Sequence, residues 1–281
     1  MLPRKKLDIG WLDLFVAAMH CCWPGNAELV QEHLQRDWAK GSSLACLSVR
    51  TGFDLLLSAL DLPRGSEVIL SAINIRDMVR IVQAHGLVPV PVDVDMETLS
   101  VDAANIERLV TQRTRVVVIA HLFGSRMPLE AIIEVGDRLG LLIVEDCAQA
   151  YVGNGERGHP VAHVRMFSFG PIKTSTALGG AMLGFRDPAV ATAVRTLEAK
   201  LPRQTRQTFL ARVLKYTMLK ALLLHPMFTL FVAACRASGR SHDDVISGAV
   251  RRPITPPQRK ALAELLPESA DRLKPGEKKP H

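Results

Sequence analysis

The 281-residue chain has no zinc-finger spacing, no aromatic-basic RNA signature and no helix-turn-helix pattern, so nucleic acid is not expected as a partner. A net charge of +7 does not change that expectation, because the bases are scattered and the terminal "RLKPGEKKPH" reads as a solvated tail. Cysteine is sparse and unpatterned. Cys21, Cys22, Cys46, Cys147 and Cys235 are odd in number and lack C-x-x-C spacing, which argues against a disulfide framework and a zinc site; no metal is expected. A reducing, cytoplasmic setting fits best. The start "MLPRKKLDIGWLDLF" is basic, but Asp8 and Asp13 interrupt its apolar part and no small-residue cleavage site follows cleanly, so secretion is not expected. No internal repeat is present. The apolar stretch 208–237 has an uncharged core, Ala221 to Cys235, that falls short of the ~20 residues a bilayer span needs, and Pro226 would kink it.

What is there suits a large buried core. Hydrophobic residues make up 48% and charged residues 22%, which allows one large domain or a large and a small one. Apolar runs at 66–72, 87–94, 115–121, 140–146, 164–169 and 180–185 predict strands, most of them apolar throughout, as in a sheet covered on both faces. Helix-spaced stretches at 51–60, 76–84, 102–111 and 128–138 lie between them and predict an α/β fold with a mostly parallel central sheet. The pattern changes after Arg186. Residues 188–200 look helical, 208–237 predict a buried helix pair, and the stretch from Arg251 onward predicts a proline- and charge-rich tail. The expected units are 1–186, 187–250 and 251–281. Membrane-surface or partner contact through 208–238 is the sharper but less favoured alternative.

Two segments carry chemistry. In "LLIVEDCAQA" an apolar strand ends in acids, which puts Asp146 at the ligand-binding carboxyl edge of a parallel sheet; a helix N-cap explains it equally well. Lys173 follows "RMFSF" and "GPI". A loop lysine is usually solvated, but Phe167, Phe169, Pro171 and Ile172 are apolar neighbours, and Gly179-Gly180 lets another backbone pass close by. A desolvated amine has a lowered pKa and attacks carbonyls. A strand-end carboxylate and such an amine suit pyridoxal 5′-phosphate (PLP), the lysine holding its aldehyde and the acid its pyridine nitrogen. Ser168 offers a hydroxyl for the phosphate, and "VRTGFDLLLSAL" (49–60) a turn into a helix whose first N–H groups could cradle a dianion. Arg50 could add a charge there, or be a surface arginine.

The order "TGFDLLLSALDLPRGSEVILSA", "GLVPVPVDVDMETLSVD", "AHLFGSRMPLEAI", "GLLIVEDCAQAY", "FSFGPIKTSTALGGAML" resembles the DegT/DnrJ/StrS family of PLP-dependent sugar aminotransferases across residues 8–186. The resemblance implies an aspartate-aminotransferase-like fold (fold type I) with a helical C-terminal extension, and a homodimer with sites at the subunit interface. It makes Asp146 the partner of the pyridine nitrogen, Gln149 the glutamine against the ring near its 3′-oxygen, Ser168 a phosphate ligand and Lys173 the Schiff-base lysine. Relatives with histidine at the lysine position are sugar dehydratases, so Lys173 implies transamination, with the lysine moving a proton between donor Cα and cofactor C4′. The implied substrates are an amino donor such as glutamate and a keto acceptor, a nucleotide-linked keto sugar.

The chain departs from the family pattern at three places. Val49-Arg50 stands where the family has Gly-Thr, so the phosphate anchor is rebuilt or shifted onto Thr51-Gly52, and Ile75 replaces a ring-stacking aromatic residue. After the lysine only apolar helices and a tail follow, so the small domain is expected to be abbreviated or the chain truncated. These departures favour an alternative in which the protein is a catalytically degenerate binding or scaffold subunit; a third reading keeps PLP but performs dehydration or elimination. His121 resembles a family histidine near the active site, but a hydrogen-bonded core histidine explains it as well, and no proton-transfer role is expected of it.

Overall fold

The computed structural model describes residues 7–23, 25–39, 42–151, 157–242 and 244–246. The expected tail from Arg251 lies outside the described residues. Nine helices and seven strands occur among them, in the order α1 (Trp11–Cys22), α2 (Ala27–Ala39), β1 (Ser43–Cys46), α3 (Val49–Leu60), β2 (Glu67–Ser71), α4 (Arg76–Ala84), β3 (Val88–Val92) and α5 (Ala103–Leu109). There follow β4 (Thr114–Ala120), α6 (Glu130–Leu139), β5 (Leu142–Asp146), β6 (Val164–Ser168), β7 (Ala181–Phe185), α7 (Pro188–Glu198), α8 (Arg206–Leu222) and α9 (His225–Ala237). All six expected strands form. The sheet order is β1-β7-β6-β5-β4-β2-β3, with β7 antiparallel to both neighbours and every other pairing parallel.

Alternation along β4 shows why the strands are apolar on both faces. Val116 and Val118 join Phe53, Leu56, Met78 and Val82 from α3 and α4 in one core, while Val117 and Ile119 join Ile106, Ile132 and Ile133 from α5 and α6 in another. Each such buried side chain contributes about 1.5–3 kcal/mol. Ala191 and Val194 of α7 belong to the first core. The outer strand β3 is protected by its own sequence, "VPVPV". Val88 donates to Ser66 and Val92 accepts from Ala72, so Pro89 and Pro91 face outward, where an N–H would have no partner.

The helices stop where local chemistry says they should. Ser48 caps α3 by accepting from the Thr51 N–H, Asp61 closes it at φ 43°, and Gly140 closes α6 at φ 64°. Thr205 accepts from the Thr208 N–H, which starts α8 at Arg206, earlier than its apolar pattern suggests. α8 and α9 meet at a 90° bend before Pro226, and no single helix among the described residues is long and apolar enough to cross a membrane. The expected burial of this pair holds for one face only. Val213, Tyr216 and Leu219 of α8 and Phe228 and Val232 of α9 are buried, whereas Leu214, Met218, Met227 and Leu230 are exposed.

Candidate active site

Strands β4, β5 and β6 end along one edge of the sheet, followed respectively by His121, Cys147 and Phe169. Strand alternation puts Phe167 and Phe169 on one side of β6 and Ser168 on the other. The two phenylalanines pack against Trp38 and Tyr151, with ring centroids 5.1 to 5.7 Å apart. They therefore anchor the strand rather than enclose the amine; Pro171 and Ile172 do line its cavity.

The segment between β6 and β7 is a loop tied at its base. The Phe169 carbonyl accepts from the N–H groups of Ala177 and Gly179 and from the Thr176 hydroxyl. Phe169 N–H donates to the Gly180 carbonyl, and Gly180 N–H to the Leu47 carbonyl. Ser175, Leu178, Gly179 and Gly180 all have positive φ, with Gly180 at 93°. A Cβ on Gly180 would meet nothing closer than the Cys46 carbonyl at 3.8 Å, so only the backbone conformation demands glycine. Gly180→Ala should cost about 1–2 kcal/mol. A fall in melting temperature of about 2–8 °C would register it, and an unchanged melting curve would mean that the loop relaxes without strain.

Lys173 faces a cavity of about 930 Å³ that is also lined by Arg50, Ile75, Asp146, Gln149 and Ser168. Six of the seven residues singled out from sequence thus share one space. Thr51 does not line it; its N–H and hydroxyl both meet Ser48 Oγ, at 3.2 and 3.0 Å, and Ser48 takes the place at the wall. A Cβ on Gly170 would lie 3.7 Å from Ser168 Oγ and 3.8 Å from Lys173 Cγ, so the glycine marks where hydroxyl and lysine converge.

Burial pushes the Asp146 carboxyl above its ordinary range, against the opposing pull of the Ala148 N–H, Lys173 and His121. Burial likewise pushes the Lys173 amine down, with Asp146 pulling it back. Each group is therefore within electrostatic reach of the other. Asp146 Oδ1 accepts from the Ala148 N–H at 2.9 Å, so it stabilises the turn after β5 as well as facing the cavity.

Arg50 is held by Asp77, Nη1 to Oδ2 at 2.5 Å, which ties the first turn of α3 to that of α4. Ile75 is 53% exposed at the cavity wall. Gln149 Oε1 accepts from the Phe123 N–H at 3.3 Å. His121 is a buried hydrogen-bonded residue. The Met127 N–H donates to its Nδ1, which leaves the proton on Nε2 to donate to Glu145 Oε1 at 2.9 Å. Donor atoms of His121, Glu145 and Cys147 lie within 4.8 Å of one another. Glu145 also accepts from the His159 N–H. Burial raises its carboxyl, but the hydrogen bonds from His121 and His159 outweigh burial and hold it low; burial pushes the Cys147 thiol up. The cluster is a hydrogen-bonded knot whose His121 also lines the cavity.

Sequence reasoning missed several wall residues. Asn74 accepts from the Ile75 N–H, and its buried Nδ2 has no partner among the described residues. Phe123 is 71% exposed at φ 53°. Leu219 and Leu223 bring α8 and the start of the next turn onto the cavity, a contact no local pattern announces. Phe123 alone had a signal, since it closely follows a strand at the ligand-binding edge.

The sequence profile of the DegT/DnrJ/EryC1/StrS aminotransferase family matches residues 30–220. The UDP-4-amino-4-deoxy-L-arabinose–oxoglutarate aminotransferase of Shewanella sediminis is 32% identical over 177 residues, which cover 62% of this chain and 45% of that protein. The erythromycin biosynthesis sensory transduction protein EryC1 of Saccharopolyspora erythraea is 38% identical over 159 residues, covering 54% and 43%. Among solved structures, the aminotransferase TlmJ of Streptoalloteichus hindustanus superimposes with a TM-score of 0.63 at 27% identity, over 71% of this chain and 57% of that one. The chain spans less than half the length of the two curated relatives.

Proposed function

Because this chain belongs to the DegT/DnrJ/EryC1/StrS aminotransferase family, we propose that its cavity holds PLP and moves an amino group from an amino acid to a keto acceptor. One observation carries the reading: Asp146 and Lys173, brought from β5 and the loop after β6, line the same cavity and act on each other's charge.

The residues present fit the cofactor. Ser168 and the first turn of α3, with Arg50, would hold its phosphate, since helix N–H groups and a guanidinium both favour a dianion. Asp146 would hold the pyridine nitrogen protonated, and Ile75 would cover the ring by apolar contact without stacking. Bound PLP supplies an electron sink for the carbanion left when the donor loses its Cα proton. Lys173 does the rest: its amine would carry the cofactor aldehyde between turnovers and, once displaced, move the proton between donor Cα and cofactor C4′. Its lowered pKa leaves more of it neutral, as both tasks need. Leu219 and Leu223 would help keep water from the reacting atoms.

For substrates we infer glutamate as donor and a nucleotide-linked keto sugar as acceptor, in keeping with the activity for which the Shewanella relative is named. We place the protein in a reducing, cytoplasmic compartment as a homodimer, a reading suited by five unpaired thiols and by the family. The test is a half-reaction. Purified chain with PLP should show a visible band near 400–430 nm, a range typical of lysine-bound cofactor. Glutamate should bleach it and 2-oxoglutarate should restore it. A band that glutamate leaves untouched would overturn transamination while keeping the cofactor. A colourless protein indifferent to added PLP would favour the second reading, a degenerate scaffold subunit, to which the Arg50–Asp77 pair lends support by engaging the phosphate-side arginine.

A further inference from the structure

One long segment carries positive charge unopposed by any acid. From Lys200 to Arg240 there are eight Lys and Arg residues and no Asp or Glu; elsewhere 27 basic residues meet 28 acidic ones. This acid-free segment comprises α8, α9 and their approaches. Arg206, Lys215, Arg236 and Arg240 are exposed on it.

The same helices turn large apolar side chains outward. On α8, Val213, Tyr216 and Leu219 face the protein, while Leu214 and Met218 lie on the other side, Met218 being 73% exposed. On α9, Leu230 is 67% exposed opposite buried Phe228 and Val232. α1 packs along α8 and buries only Leu14, leaving Leu12 at 72% and Phe15 at 62% exposure. The two acids of this N-terminal region are engaged locally: Asp8 accepts from the Ser175 N–H and Asp13 from the Gly10 N–H.

We propose that α1, α8 and α9 form a docking surface for an anionic lipid bilayer. Apolar side chains beside basic ones, with no acid on α8 or α9 and only Asp8 and Asp13 in the α1 region, match an interface that offers acyl chains below and negative headgroups above. The helices would lie on the bilayer: no single helix among the described residues is long and apolar enough to cross it, and the bent α8–α9 pair keeps Val213, Tyr216, Leu219, Phe228 and Val232 buried in the protein. A second copy of the chain fits worse: a two-fold contact through this face would set the acid-free helices α8 and α9 of one copy against those of another, bases against bases. Nucleic acid would satisfy the bases but leave Leu12, Met218 and Leu230 in water. α8 also walls the active-site cavity through Leu219, so docking would hold that cavity within about one helix diameter, ~10 Å, of the lipid. The surface stands whether or not the transaminase reading does.

The test is flotation of the full chain with vesicles of phosphatidylcholine, alone or mixed with phosphatidylglycerol. Binding is expected only to the mixed vesicles and should weaken as salt is raised. Neutralising the four exposed bases (R206Q/K215Q/R236Q/R240Q) should weaken it about 10²- to 10³-fold, at about fivefold per residue. The variant L214S/M218S/L230S should also lose affinity. All these positions are exposed, and far-ultraviolet circular dichroism identical to the parent's would show that both variants fold. The proposal is overturned if the parent ignores anionic vesicles or binds neutral ones equally well. It is also overturned if the neutralised variant floats like the parent, which would put the contact in another segment. The same holds if the serine variant converts a vesicle-indifferent dimer into a monomer, which would make a second copy the occupant.

Discussion

Replacing Lys173 by alanine should leave a protein that takes up PLP without the visible band of lysine-bound cofactor and transfers amino groups at least about 10⁴-fold more slowly. Two tasks fail together, because one amine both holds the aldehyde and moves the proton. The substitution also has a signature in the cofactor-free protein. Burial lowers the Lys173 pKa in the folded state, so the unfolded chain binds more protons in the alkaline window below the ordinary value of 10.5. The parent therefore gains stability as pH rises through that window, and Lys173→Ala should lack this gain. Denaturation curves across that range measure it. A surviving visible band would show that another amine holds the cofactor.

Asp146→Asn is expected to reduce turnover about 10²- to 10³-fold, since a neutral amide cannot keep the pyridine nitrogen protonated. Asparagine retains an oxygen for the Ala148 N–H, so the turn after β5 should survive. The sign for stability is opposite to that of a salt-bridged acid. The folded-state pKa of Asp146 is raised, so its contribution is fully present below the ordinary 3.8 and is lost as pH rises through the raised value. At neutral pH the buried carboxylate is a burden carried for function. The variant should melt no lower than the parent at neutral pH and show a flatter pH dependence above 3.8. A large loss of stability together with unchanged turnover would reassign Asp146 as a turn residue.

Much of the sheet was legible because a strand covered on both faces must be apolar throughout, and β2 and β7 are buried at every position. α4 was legible to the residue. β1 was not, since "SLAC" is four residues long and becomes a strand only by pairing with β7. α1 and α2 were missed as helices: the apolar start of the chain was weighed as a leader, and α2 has no buried face of its own to mark it. In the site, Asp146, Ser168 and Lys173 were readable because each follows or ends an apolar run at the ligand-binding edge. Thr51 was placed in the cavity by its position beside a helix start, but a helix cap consumed its N–H.

The order of apolar runs, the strand-end acid and the lone lysine among turn residues determined the layered α/β class and the chemistry of an amine facing a carboxylate. These are local facts, written in side-chain type and period. Which residues share the cavity, the pairing of Arg50 with Asp77, the wall supplied by Leu219, and the outward turn of half the apolar side chains on α8 and α9 were decided only by tertiary structure. The reason is that burial and charge pairing belong to contacts between segments far apart in the chain, and a helix does not record in its own sequence which of its faces will find a partner.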